Sequence, residues 1–95
     1  MSQANSPEDI RSCLLQAGLS SQAISQLDFA TQQCPELNPY SYARDAFLNR
    51  GDWSSSANQL PPAIWQNNNY QGSLTQYNGV VSAIIEANQV GLRFR

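Results

Sequence analysis

Side chains that do chemistry at neutral pH are scarce in this chain. It has no histidine, so the commonest general base and metal ligand is missing. Cys13 and Cys34 are too few for a zinc site without histidine, and neither has an imidazole to take its proton and make it a nucleophile. The carboxylates are spread along the chain. Glu8 and Asp9 are adjacent, but they open a predicted helix, where they complement its dipole. A nucleophile elbow and a phosphate loop are both absent from the sequence. The chain therefore reads as a non-enzyme, with no cofactor and no metal expected.

Arg11 and Arg44 carry the most specific charge chemistry. Arg11 stands three residues after Glu8, and a local salt bridge of about 0.2–0.5 kcal/mol accounts for it. The functional alternative is a guanidinium fork that grips a partner's carboxylate, with Arg44 placed to do the same. Arg50-Gly51-Asp52 spells an adhesive tripeptide, but a helix stop explains each letter: a cation at the C-terminus, a left-handed glycine and a turn-opening acid.

Composition sets the wider limits. The 95 residues include 12 Ser, 11 Gln and 9 Asn, a third of the chain, and only 13% are charged. All five basic residues are Arg, against seven acids, for a net charge of −2. Five scattered Arg make no basic stripe, so nucleic acid is not an expected partner. No apolar run reaches the ~18 residues of a membrane span, and MSQANSPEDIR is no secretory signal. The expected location is the cytoplasm or a particle assembled there, such as a virion. Disulfides are rare in that compartment, so the cysteines read as small buried hydrophobes. A surface of amides and hydroxyls suits a crowded, permanent contact, because it forms hydrogen bonds without the desolvation penalty of charges.

The elements follow from caps, stops and periodicity. Ser6 caps a helix over Pro7–Ala17 that Gly18 stops, with Ile10, Cys13, Leu14 and Ala17 on one face. Ser20 or Ser21 caps a second helix to Gln33, with Ala23, Ile24, Leu27, Ala30 and Thr31 inward, ended by Pro35. This hairpin sets Cys13 and Cys34 more than about 10 Å apart, beyond disulfide reach. Asn38-Pro39 repeats the cap signal for a helix to Arg50, with Ala43, Ala46, Phe47 and Arg50 on its inner face. Residues 54–60 and 62–67 suit two shorter helices around Pro61-Pro62. Ser73 caps a last helix, Leu74 to about Gln89, with Leu74, Tyr77, Val81, Ile84, Ile85 and Asn88 inward. The β-branched run at 80–85 also suits a strand, but sixteen residues without a turn signal is too long for one.

At an offset of 33, Ile10–Gln33 aligns with Ala43–Gln66 with eight identities in 24 positions, among them Arg11/Arg44, Gly18/Gly51 and Leu27/Leu60. This spacing resembles the tetratricopeptide repeat, a helix–turn–helix unit with a period of about 34. The chain departs from that pattern at Arg11 and Arg44, where the family has small residues, and at Pro61-Pro62. The expected fold is thus all-α, over 1–95 as one small domain: four to five short helices built from helical hairpins, as a degenerate duplicated unit or otherwise.

Aromatic residues beyond what so small a core absorbs suggest a protein interface at Tyr40, Tyr42, Trp53, Trp65 and Tyr70. The tail Leu92-Arg93-Phe94-Arg95 alternates apolar and basic residues. It needs a groove to be ordered, on its own core or on a neighbouring subunit. The function expected is a structural or adaptor subunit of a larger assembly, such as a virion or phage-tail connector. Its partners would be other protein subunits, itself included. The alternative is a helical-hairpin adaptor or inhibitor that holds a peptide or host protein in a groove.

Overall fold

A computed structural model describes residues 6–33, 35–49 and 74–94. Ser6 is extended, and its hydroxyl accepts a 3.2 Å hydrogen bond from the Asp9 N–H. Pro7 follows at the first helical position, and α1 runs Pro7–Ala17. Gly18 ends it with φ 108°, a left-handed conformation that costs glycine little. The Gly18 N–H reaches the Leu15 carbonyl and the Leu19 N–H reaches that of Leu14, so two of the helix's last carbonyls are satisfied and Leu19 folds back onto Leu14.

Helix α2, Ser21–Gln33, starts at a cap completed from a distance. The Ser20 hydroxyl accepts from the Ala23 N–H at 3.2 Å. Glu86 accepts from the Ser20 N–H at 2.7 Å and from its hydroxyl at 3.0 Å. In a capping box, a Glu or Gln three residues into the helix reaches back to the cap N–H. Ala23 stands at that position, and Glu86, 66 residues away in sequence, takes over the task.

A 3₁₀ turn, Pro35–Leu37, leads to α3, Pro39–Leu48. The Asn38 side chain makes no cap hydrogen bond, contrary to expectation. Asn38 instead supplies a left-handed turn, φ 46°, which Asn tolerates better than most residues. Its carbonyl accepts from the Ser41 N–H and hydroxyl. Helix α3 closes at Leu48 rather than Arg50. The Asn49 side chain turns back onto the Asp45 carbonyl at 2.8 Å, competing with further helix.

Helix α4, Leu74–Gly91, settles the strand-or-helix question for 79–85 and continues into a 3₁₀ turn, Leu92–Phe94. Its buried stripe is Val80, Ala83, Ile84, Ala87, Asn88, Val90 and Gly91. The expected Tyr77, Val81 and Ile85 are only half-buried. The stripe is rotated because small residues, not bulky ones, let α4 approach its neighbours. A Cβ on Gly91 would lie 2.1 Å from the Phe47 carbonyl oxygen. Among the described residues all regular structure is helical, and the four helices form a small bundle in which α4 packs mainly on α3 and α2. No described helix is long and apolar enough to cross a membrane.

The core joins Ile10 and Leu14 of α1, Ile24 and Leu27 of α2, Tyr40 and Phe47 of α3, and Val80 and Ile84 of α4. Cys13, expected inside, is half-buried with a free thiol, while Cys34 lies outside the described residues. Residues 51–66 do too, and with them most of the second repeat unit.

Asn88 is the one fully buried polar side chain in this core among the described residues. Its amide donates to the Ala46 carbonyl at 2.9 Å, while its Oδ1 is buried without a partner. The Ala46 carbonyl also accepts from the Asn49 N–H. Asn88→Leu keeps the branching and removes the orphan acceptor, so it is expected to leave stability unchanged or raise it by about 1 kcal/mol. Urea denaturation checks this, and a clear loss would mean that the oxygen has a partner.

Candidate functional site

Two places gather the described candidate residues. The first spans α1, α2 and α3. The Arg11 Nε–H lies 3.0 and 3.1 Å from the two oxygens of Asp28, one α2 residue facing α1 across the hairpin. The partner is thus Asp28 and not Glu8, one turn away. A carboxylate on the facing helix is itself held in place, whereas Glu8 at the helix start is exposed. The Tyr40 hydroxyl donates to Asp28 from the other side, and lies 3.4 Å from the Ile24 carbonyl. Burial, and then the bond to Asp28, push the Tyr40 hydroxyl well above the usual tyrosine range. Asp28 in turn holds the Arg11 guanidinium in its charged form.

Tyr40, expected at an interface, is therefore a core residue. It is 1% exposed and leaves a partner almost nothing to touch. Its aromatic ring fills the core while its hydroxyl reaches the rim, a division of labour open to Tyr and closed to Phe. Arg11 does grip a carboxylate, but one from its own chain. Arg11 also lines a cleft of about 220 Å³ together with Pro7, Glu8, Thr31 and Gln32. Arg44 lies on α3, 3.2 Å from Asp45, its neighbour in sequence. Tyr42 is half-buried against the core.

The second place is the opposite end of α1. The 3₁₀ turn after α4 brings Arg93 to the α1–α2 turn, where its guanidinium lies 3.5 Å from where a Cβ of Gly18 would stand. Helix α1 has no basic residue in its own last turn, so Arg93 supplies the cation its C-terminus lacks. Leu92 beside it is 43% exposed, and Leu15 in the last turn of α1 is 42% exposed. These are the large apolar side chains left in water among the described residues. Phe94 closes the 3₁₀ turn. Trp53, Trp65, Tyr70 and Arg95 lie outside the described residues.

No protein-family model, no curated protein and no solved structure matches this chain. The Arg11–Asp28–Tyr40 cluster is a closed chain of charge-assisted hydrogen bonds that ties three helices together. Among the described residues no group of three or more potential metal ligands comes together. Sequence reasoning missed Asp28 and Glu86, whose roles depend on partners 17 and 66 residues away.

Proposed function

We propose that this chain is a non-enzymatic structural or adaptor subunit of a larger protein assembly, acting through protein–protein contacts. The observation that carries this reading is the end of the bundle built by Leu15, Leu92 and Arg93. There exposed Leu92 adjoins Arg93, a cation that has no ion-pair partner among the described residues and lies over Gly18, and exposed Leu15 stands one turn before that glycine. Isolated exposed leucines are ordinary on a surface, but two at one end beside a basic side chain make the core and rim of a small contact. The amide- and hydroxyl-rich composition supports the same reading, because it limits the charge that must be desolvated on assembly. A virion or phage-tail connector is the kind of particle that fits this size and surface.

A second reading has its own observation. A cleft of about 210 Å³ runs between α2 and α4, with Gln26, Gly79, Ser82 and Glu86 on its walls. An adaptor or inhibitor could receive an extended peptide there, held by amide and hydroxyl groups.

Sedimentation of the protein from its native source distinguishes these readings. The assembly reading expects it in a particle of fixed stoichiometry. Deleting residues 92–95 should release it from that particle while circular dichroism shows nearly unchanged helix content. Recovery of the truncated chain in the same particle, or unfolding of the truncated chain, would overturn the role given to this end. A monomer that holds a peptide would favour the groove.

A further inference from the structure

Resting on the assembly reading, we propose that the partner received at the Leu92 end is a second copy of this chain, which docks through its cleft at the opposite end of α1. The two ends are complementary in charge. Glu8 lines the cleft and Asp9 follows it in the first turn of α1; both are exposed and have no ion-pair partner among the described residues. Asp28 is there too, balanced by Arg11. At the other end Arg93 is exposed and has no ion-pair partner among the described residues, and Glu86, seven residues before it, is already bound to Ser20.

The ends also match in shape. The cleft at Pro7, Arg11 and Thr31 measures about 220 Å³, more than the ~150 Å³ that accepts a benzene ring in an engineered cavity. A leucine side chain fits it, and Leu92 next to Arg93 offers one. Seated there, Leu92 would lie against Pro7 and the stem of Arg11, and Arg93 would reach Glu8.

One chain cannot satisfy both ends of itself. Ten residues of helix separate Glu8 from Gly18, about 15 Å at 1.5 Å per residue, and Arg93 lies over Gly18. The contact is therefore head to tail. Repetition of such a contact gives a ring where the rotation closes and an open filament where it does not.

The test uses the full chain, with mass followed by light scattering and sedimentation across a concentration series at low salt. The wild type is expected to gain mass with concentration and to lose that gain in high salt. Glu8→Arg and Arg93→Glu should each weaken association at least tenfold. An equimolar mixture of the two variants should recover association beyond a pair, with the variants alternating, because each end then meets a cleft of opposite charge only on the other variant. Should Glu8→Arg lose helix by circular dichroism, Asp9→Arg makes the same reversal one residue on. Leu92→Ser should weaken association without changing its salt dependence. A wild type that stays monomeric throughout, or a mixture that fails to associate, overturns the proposal. Recovery of the chain in a native particle built with a different protein would leave the assembly reading standing while removing the self-partner.

Discussion

Gly91→Ala is expected to lower stability by about 3 kcal/mol, a fall in Tm of roughly 12–24 °C for a domain of this size. The added methyl would sit 2.1 Å from the Phe47 carbonyl oxygen and 3.1 Å from its Cα. Those are backbone atoms of α3, so the clash is relieved only by moving one helix away from the other. That movement would loosen the contact between Asn88 and the Ala46 carbonyl one turn earlier. Gly79, in the same helix, provides the control. A Cβ there would first meet the end of the Gln26 side chain, at 2.6 Å, and that flexible end can swing aside. Gly79→Ala also gains helix propensity, about 0.8–1.0 kcal/mol, so it should leave stability level or improve it. The same substitution at two glycines of one helix thus has opposite outcomes, measurable by thermal and urea denaturation. Equal effects at the two positions would refute the close approach of α3 and α4.

The second large effect is at Tyr40. Tyr40→Ala empties a fully buried site and should cost about 3–5 kcal/mol. Tyr40→Phe keeps the ring and should cost only about 1–2 kcal/mol at neutral pH, since Arg11 continues to hold Asp28. The two variants separate packing from hydrogen bonding. pH provides an independent readout. The hydroxyl's proton affinity is raised in the folded state, so the stability it supports is complete below the unfolded tyrosine pKa of about 10. As pH rises above that value the unfolded chain loses this proton while the folded chain keeps it. Stability then falls by up to about 1.4 kcal/mol per pH unit from this residue. Tyr77, shifted in the same direction by burial, adds to the alkaline loss. In Tyr40→Phe the slope above pH 10 should be shallower than in the wild type. Identical slopes would show that the hydroxyl is not bound as described.

The limits of helix α1 and two of its inward residues are legible, whereas Cys13 and Ala17 are only half-buried. Ser6, Pro7 and the two acids start it, Gly18 stops it, and Ile10 and Leu14 face inward. The limits of α2 are equally plain, and of its expected inward set Ala23, Ile24, Leu27 and Ala30 are buried while Thr31 is half-buried. These signals are local: a cap, a stop or a period of 3.6 needs only the residues nearest to it. The helix over 79–85 was legible only through length, because its β-branched residues fit either structure.

Other features had no local signal. The inner face of α4 was read from bulk, yet the close approach of α3 selected Ala83, Ala87 and Gly91. Tyr40 looked like an interface residue because its ring is large and polar-tipped. Only the position of α3 against α2 showed that the tip meets Asp28. Arg11 had a plausible partner one turn away, and the hairpin offered one better held.

Caps and periodicity act over a single turn, so the starts of the helices and the all-α character of the described residues can be read from the chain alone. Which charges find partners, as Glu86 does at the start of α2, and which face of α4 is inside come from the packing of the helices. Those outcomes depend on the distance between backbones that meet only after the chain has folded.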